Sequence, residues 1–310
     1  MLQRRTAMKI IASALVLMSA PAAFAADKVV IGLAVANLQA DFFNQIKQSV
    51  EAEAKTKNVE VITLDAKGDA ATQVSQIQDL ITRKVKALIY IPAGATAASV
   101  PVKAAKAAGI PVVAVDRNPA GAPGDTFIAT DSVKAAKELG DWVIKQTGGK
   151  GNLAVLQGQI GTTPEIDRDK GFTEALKAAP GIKLVAQQPA EWYQSKGFAV
   201  AQDMLQRNPK IDIFFGRADA MALGAAQAVK IANLGHKVLI VGFDGDVGAL
   251  KAVRDGVIDA TMTQQTQLMG RLALDSALSL ASGKKLPAVQ LQSATLTLKS
   301  NVTPFITSHP

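Results

Sequence analysis

Cysteine is absent from this sequence of 310 residues, and histidine, tryptophan and tyrosine each occur only twice. The lack of cysteine excludes disulfides, thiolate catalysis, cysteine-based metal sites and attachment of a lipid to an N-terminal cysteine. Neither His236 nor His309 stands with an acid and a nucleophile in a recognisable arrangement. Phosphate-binding loops, G-x-S-x-G elbows and H-E-x-x-H zinc motifs are missing too. We therefore expect no catalytic residue, no metal and no cofactor.

Long apolar runs are missing except near the N-terminus. There, two arginines and Lys9 precede the short apolar run from Ile10 to Met18, and residues 23–25 match the small-x-small pattern of a signal-peptidase site. This run is shorter than the about 20 residues that a membrane-spanning helix needs. We therefore expect residues 1–25 to be a cleaved signal peptide and the mature protein to act in the periplasm. The choice between Sec and twin-arginine export stays open.

A basic surface suited to nucleic acid is also missing. The formal net charge is +8, but the lysines are scattered over many predicted helical faces and no basic stripe is interleaved with aromatic residues. With 48% hydrophobic and 19% charged residues, the composition is that of an ordinary globular protein. We expect a monomer that binds no nucleic acid.

From Lys28 onward, short apolar runs rich in β-branched residues alternate with stretches of helical periodicity. Apolar strands separated by helices are typical of parallel sheets that are covered on both faces. There are more strands than one open sheet needs, and Phe127 to Asp131 has the character of a junction. The pattern predicts an α/β fold of two similar lobes, each a doubly wound parallel sheet. The predicted strands are Val29–Val35, Val59–Leu64, Ala87–Ile91, Val112–Asp116, Leu153–Leu156, Lys183–Ala186, Ile211–Phe215 and Val238–Phe243.

The two predicted lobes are joined by a hinge in which the chain crosses three times. The crossings are expected near residues 130–131, 264–265 and 286–291. The N-terminal lobe then comprises residues 26–130 plus 265–290, and the C-terminal lobe comprises residues 131–264 plus 291–310.

Polar and aromatic residues follow the predicted strands, at the sheet edge where doubly wound folds bind ligands. Phe42 and Phe43 could both belong to the core, and Asp116 with Arg117 could form a surface ion pair. Their positions after strands favour a pocket. Carboxylates, guanidinium groups and amides form directional hydrogen bonds with hydroxyls, whereas flat aromatic rings cover the C–H faces of a sugar. The set therefore predicts a site for a polyhydroxylated molecule.

Short motifs follow one another along the chain: Asp41-Phe42-Phe43, Val115-Asp116-Arg117, Ile166-Asp167-Arg168, Gln188-Pro189-Ala190-Glu191-Trp192, Met221-Ala222-Leu223-Gly224-Ala225 and Val241-Gly242-Phe243-Asp244-Gly245. In this order and over nearly the whole mature chain, they resemble the ribose, allose and galactofuranose branch of the type I periplasmic sugar-binding proteins of ABC transporters.

The resemblance implies roles for single residues. Phe42, Phe43 and Trp192 match the aromatic residues that enclose the sugar. The polar groups that engage its hydroxyls match Asp116, Arg117, Arg168, Asp244 and Gln264, with Phe243 packed nearby and Thr130 at the first hinge crossing.

Several positions depart from the ribose-binding pattern. Ala40, Ile91 and Ala218 stand where that pattern has polar residues, and Ala36 replaces a small hydroxyl residue. Because losing a buried hydrogen bond costs roughly 1–3 kcal/mol, we do not expect ribose in its usual pose. A hexose, a pentose in another pose, a deoxy sugar or a polyol remain candidates.

The resemblance implies capture of a sugar and its delivery to the permease subunits of an ABC transporter. A sensory protein that feeds a chemoreceptor or sensor kinase is an alternative, and a sugar-processing enzyme is a remote one. Repressors of the LacI type share the two-lobed fold, but they begin with a helix-turn-helix domain rather than a signal sequence.

Overall fold

Two six-stranded sheets, one in each of two α/β lobes, organise the computed structural model, which describes residues 28–310. The predicted signal peptide lies outside the described residues. The strand orders are β11-β5-β4-β3-β1-β2 and β12-β10-β9-β8-β6-β7. Both lobes thus repeat one winding pattern, in which the second strand lies on one side of the first strand and the third strand on the other.

The first lobe is built mainly from the first half of the chain. Its elements are β1 (Val30–Val35), α1 (Asp41–Thr56), β2 (Glu60–Asp65), α2 (Ala70–Thr82), β3 (Ala87–Tyr90), α3 (Ser99–Ala107), β4 (Val112–Val115), β5 (Thr126–Thr130), α9 (Thr266–Ala281) and β11 (Val289–Gln292).

The second lobe follows with α4 (Ser132–Thr147), β6 (Lys150–Gln157), α5 (Thr163–Leu176), β7 (Gly181–Pro189), α6 (Gln194–Arg207), β8 (Ile213–Gly216), α7 (Asp219–Ala232), β9 (Leu239–Asp244), α8 (Val247–Arg254), β10 (Ala260–Thr263), β12 (Thr295–Leu298) and α10 (Thr303–Thr307).

Central strands are apolar on both faces because each face packs against helices. In β1, Leu33 lies in the core shared with α1 and α9, whereas the next residue, Ala34, lies in the core under α2 and α3. In β8, Phe215 and Phe214 divide in the same way between the two faces of the second sheet. Successive side chains of a strand point to opposite faces, so a strand buried on both faces reads as a continuous apolar run.

The chain passes between the lobes three times. It leaves the first sheet after Thr130, returns after Thr263 to begin α9, and crosses again between β11 and β12 at residues 293–294. The predicted boundary at 290/291 falls inside β11, because all four of its residues pair with β5. Strand β11 runs parallel to β5, whereas β12 runs antiparallel to β10. No helix in the part of the chain that the structure describes is long and apolar enough to cross a membrane.

Candidate ligand-binding cleft

A cleft of about 480 Å³ lies between the lobes, at the carboxyl ends of the parallel strands. Its walls come from the loops after β1 and β4 of the first lobe and from the loops after β7, β8 and β9, with the start of α5, of the second lobe. In each sheet the strand order reverses beside the strand that comes first in sequence, β1 in the first lobe and β6 in the second. Such a reversal opens a crevice at the carboxyl ends of the strands, and the loops of the two lobes meet there.

The first lobe contributes an acid and a base that are neighbours in sequence. Asp116 follows β4 with φ at +61°, a left-handed conformation that is uncommon outside glycine. Its Oδ2 lies 3.5 Å from Arg117 Nε, and both side chains are buried. The Arg117 guanidinium also donates to the Pro92 carbonyl at 2.8 Å and to Gln159 Oε1 at 2.9 Å. Burial raises the pKa of the Asp116 carboxyl, and the charges of Arg117 and Arg168 oppose that rise.

Aromatic rings flank this pair. Phe42 and Phe43, at the start of α1, meet edge to face with ring centroids 5.3 Å apart, and the Arg117 guanidinium lies 5.3 Å from the Phe43 centroid. From the second lobe, Trp192 packs so closely on Gly158 that a Cβ atom at Gly158 would lie 1.9 Å from the indole. The Trp192 backbone has φ at +73°, and its Nε1 has no partner among the described residues.

In the second lobe the acid and the base come from different elements. Arg168 on α5 lies 3.1 Å from the Asp244 carboxylate at the end of β9, and its guanidinium lies 4.0 Å from the Phe243 ring centroid. Gln264 Nε2 donates to Asp244 Oδ1 at 2.8 Å from behind the cleft. Burial raises the pKa of Asp244 to about 7; Arg168 opposes this rise, and the nearby Asp219 carboxylate adds to it.

Asp219 holds the loop that carries Asp244. Its fully buried carboxylate accepts hydrogen bonds from Gly245 N at 2.7 Å, from Asp246 N at 2.9 Å and from Thr261 Oγ1 at 2.6 Å. Burial raises the pKa of Asp219, whereas these three donors lower it. The three hydrogen bonds fix the backbone of the second-lobe loop.

Hydrogen bonds cross the cleft, so the lobes are closed upon each other. Val247 N at the start of α8 donates to Asp41 Oδ2 on α1 at 3.0 Å, and Asn118 N donates to Thr163 Oγ1 at 3.0 Å. The Arg117–Gln159 bond described above also joins the two lobes.

The C-terminal residues form another bridge. His309 Nδ1 lies 2.9 Å from Thr266 Oγ1 at the start of α9, and its Nε2 lies 2.7 Å from the Gly245 carbonyl oxygen. Gln267 N donates to the Pro310 carbonyl at 2.9 Å. The tail therefore links a helix of the first lobe to the ligand-side loop of the second lobe.

The structure brings most of the predicted site residues together. Those that line the cleft are Ala40, Phe42, Phe43, Asp116, Arg117, Arg168, Trp192, Ala218 and Asp244.

Four predicted residues do not line the cleft. Ile91 belongs to the aliphatic core of the first lobe, and Phe243 is fully buried beneath Arg168. Thr130 Oγ1 donates to Gln264 Oε1 at 2.5 Å, so these two side chains join the hinge crossings to each other. Through its bond to Asp244, Gln264 supports the cleft from behind.

The structure also adds cleft residues that the sequence-based prediction left out, notably Asp41, Tyr193 and Asp246. Tyr193 adjoins Trp192 and reaches the first lobe, where a Cβ atom at Gly68 would lie 2.6 Å from its hydroxyl. Asp41 stands in the motif with Phe42, and Asp246 lies two residues after Asp244. Proximity in sequence to predicted site residues was the signal that could have found all three.

Comparisons with known proteins agree with this geometry. A family model described as a periplasmic binding protein domain matches residues 31–285. The ribose import binding protein of Bacillus subtilis is 35% identical over 255 residues, which are 82% of this chain and 82% of that protein. The D-allose-binding periplasmic protein of Escherichia coli is 34% identical over 87% of this chain and 90% of its own length.

A solved structure shows the same fold. An ABC transporter solute-binding protein from Bacillus halodurans, with bound myo-inositol, has a TM-score of 0.85 at 26% identity, covering 90% of this chain and 98% of its own. The relatives named here are binding proteins and not enzymes, as expected from the sequence. The two-lobed fold and the family resemblance are confirmed, and the chain belongs to the periplasmic binding protein family.

Proposed function

We propose that this protein captures a monosaccharide or a related polyol between its lobes and delivers it to the permease subunits of an ABC transporter. The observation that carries the proposal is the pairing of two buried acid–base clamps, Asp116 with Arg117 and Asp244 with Arg168, on opposite walls of one aromatic-lined cleft. Fixed ion pairs present both donors and acceptors, and hydroxyl groups need both.

Unpartnered donors on the cleft wall support this proposal. The Nε atom of Arg168 and the Nε1 atom of Trp192 are buried and have no hydrogen-bond partner among the described residues, and both residues line the cleft. Buried polar groups are normally hydrogen-bonded, so such atoms in a cleft favour a ligand that supplies acceptors. Relatives named for ribose, D-allose and galactofuranose, and a structure with myo-inositol, also support this ligand class.

Capture would work through lobe closure. A ligand that contacts Asp116 on one wall and Arg168 on the other gains its full interaction free energy only when the lobes are closed, so it favours that state. The permease subunits would then recognise the closed surface. We expect a Kd between about 10 nM and 10 μM, or roughly −11 to −7 kcal/mol. The protein would act as a monomer in the periplasm, and the name of the D-allose-binding periplasmic protein supports that location.

A thermal-shift screen tests the proposal. The purified protein would be heated with aldoses, ketoses, deoxy sugars and polyols, and each hit would be titrated by calorimetry. Ligand at about 100 times its Kd stabilises a one-site protein by roughly 2.7 kcal/mol, which is a shift of several degrees. A shift with one or a few compounds and a stoichiometry of one supports capture. If no compound shifts the transition, the proposed ligand class is wrong.

A further inference from the structure

The cleft carries more acid than base. Four carboxylates line it, from Asp41, Asp116, Asp244 and Asp246, together with the two guanidinium groups of the clamps. No lysine or histidine is among the lining residues in the described part of the chain. Each guanidinium is already paired with one carboxylate, at 3.5 Å in the first lobe and 3.1 Å in the second.

The two remaining carboxylates differ in their surroundings. Asp41 accepts hydrogen bonds from Gln45 Nε2 and from Val247 N, both at 3.0 Å. Asp246 has no ion pair among the described residues, and its Oδ1 is buried without a hydrogen-bond partner there. Its backbone N–H is already bound to Asp219. The side chain of Asp246 is thus the acceptor in the cleft that the described protein leaves unused.

Two further carboxylates lie beside Asp246, because Asp219 accepts its backbone N–H and Asp41 accepts the N–H of the next residue, Val247. Burial raises the pKa of the Asp246 carboxyl well above the ordinary value, and the charges of Asp244, Asp219 and Asp41 raise it further, opposed by Arg168. Burying a carboxylate without a compensating charge in a closed cleft costs free energy, and binding either a proton or a cation lowers that cost. A ligand hydroxyl supplies a donor without charge, whereas a ligand ammonium supplies a donor and the missing positive charge together.

We propose that the ligand is an amino sugar or an amino polyol whose protonated amine lies against Asp246. This inference rests on the proposed function and narrows it. The clamps would hold the hydroxyl groups, and Asp246 would select for the amine. Asp41 faces the same region from the first lobe and would strengthen the selection as the lobes close, because its charge acts on Asp246 across the cleft.

Calorimetric titration with matched pairs tests this at about pH 6.5, where an amine with a pKa of about 8 or higher is mainly protonated. The pairs are D-glucose with D-glucosamine, D-galactose with D-galactosamine and ribitol with 1-amino-1-deoxyribitol. We expect the amino member of at least one pair to bind at least tenfold more tightly, which is about 1.4 kcal/mol. N-acetylation of that member, which removes the charge, should abolish the preference.

The variant Asp246→Asn keeps the shape of the side chain and removes its charge. We expect the affinity ratio within the preferred pair to fall toward one in this variant. Asp141→Asn on the exposed face of α4 is the matched control and should keep the wild-type ratio.

Three outcomes separate the ideas. If neutral members bind as tightly as their amino partners, the inference is wrong while the capture of sugars stands. If an amine preference survives Asp246→Asn, another residue is responsible and the assignment to Asp246 is wrong. If nothing in the panel or in the wider screen binds, the proposed function fails first.

Discussion

The two lobes have the same strand order but build their clamps differently. In the first lobe, Asp116 and Arg117 are adjacent residues in one loop after one strand. In the second lobe, Arg168 comes from α5 and Asp244 from the end of β9, and the pair depends on the packing between these elements. The first clamp is therefore set by local backbone conformation and the second by tertiary structure.

The residues that hold each acid in position also differ between the two clamps. Asp244 is held by Gln264 and its loop by Asp219, so the second-lobe acid has a network behind it. Asp116 has Arg117 as its ion-pair partner among the described residues, together with a strained backbone. When Asp244 is replaced, the hydrogen bonds to Asp219 still hold its loop in place. The first-lobe acid should thus be the more sensitive of the two to substitution.

The largest expected effect is that of Asp116→Asn. Asparagine tolerates the left-handed backbone at this position, so the substitution removes charge without adding strain. Because it leaves the buried Arg117 guanidinium without its counter-charge, we expect affinity for the ligand to fall about 100-fold by calorimetry. Circular dichroism should show an intact fold.

The matched change Asp244→Asn sharpens the comparison. An asparagine oxygen at this position can still accept from Gln264 Nε2, and the Arg168 guanidinium keeps its hydrogen bond to the Arg217 carbonyl. We therefore expect a smaller loss of affinity, about tenfold. Equal losses in the two variants would contradict the difference between the clamps.

Removal of the indole should have an effect between those of the two clamp variants. Trp192→Ala takes away the aromatic wall of the second lobe, and we expect affinity to fall roughly tenfold to thirtyfold. Since the sequence has two tryptophans, the ligand-dependent change in fluorescence should disappear with Trp192 and survive in Trp142→Phe. A fluorescence change that persists in Trp192→Ala would place the reporter on α4.

The smallest expected effect is that of Gly158→Ala, which tests the packing of Trp192 on the loop after β6. Gly158→Ala places a methyl group inside the present position of the Trp192 ring, and the indole must shift. We expect affinity to fall about fivefold, because overpacking costs on the order of 1 kcal/mol at such contacts. Gly94→Ala in the first lobe, where the space around the added methyl is open, should change nothing. Equal effects would show that the indole is free to move.

The same contrast explains what could be predicted from the sequence. The first-lobe clamp and the Phe42-Phe43 pair are contiguous, and they lie in the cleft where the strand pattern placed them. Ile91 and Phe243 also follow or end strands, yet they point into the core because successive strand residues face opposite ways. Strand register, which the sequence pattern does not fix, decides between these outcomes.

Tertiary packing accounts for the rest. Gln264 stands at a strand end as predicted, but Thr130 and Asp244 occupy its hydrogen-bonding groups and hold it behind the wall. Asp246 enters the cleft because Asp219, far away in sequence, binds its backbone. The position of Asp246 two residues after Asp244 is a local hint, but the contact with Asp219 that holds it there leaves no signal in the nearby sequence.

The C-terminal bridge has a consequence for lobe closure. Gln45 Nε2 donates to Asp41 Oδ2 at 3.0 Å, and Gln45 Oε1 accepts from Thr266 Oγ1 at 2.7 Å. His309 Nδ1 lies 2.9 Å from the same hydroxyl oxygen, and its Nε2 lies 2.7 Å from the Gly245 carbonyl oxygen. A chain of polar contacts therefore runs from Asp41 in the cleft to the ligand-side loop of the second lobe.

His309 thus joins the two lobes through both of its ring nitrogens, and the Gln267 N–H bond to the Pro310 oxygen lies next to it.

If the bridge forms as the lobes close, its contacts add to the interactions that favour the closed state. His309→Asn shortens the side chain and should lower ligand affinity in calorimetry by about tenfold, because hydrogen bonds of this kind each contribute roughly 0.5–1.5 kcal/mol. The same change at His236, which lies against the Ile211 carbonyl, should leave the affinity unchanged. Residues 309 and 310, which do not line the cleft, would thereby contribute to the free energy of lobe closure.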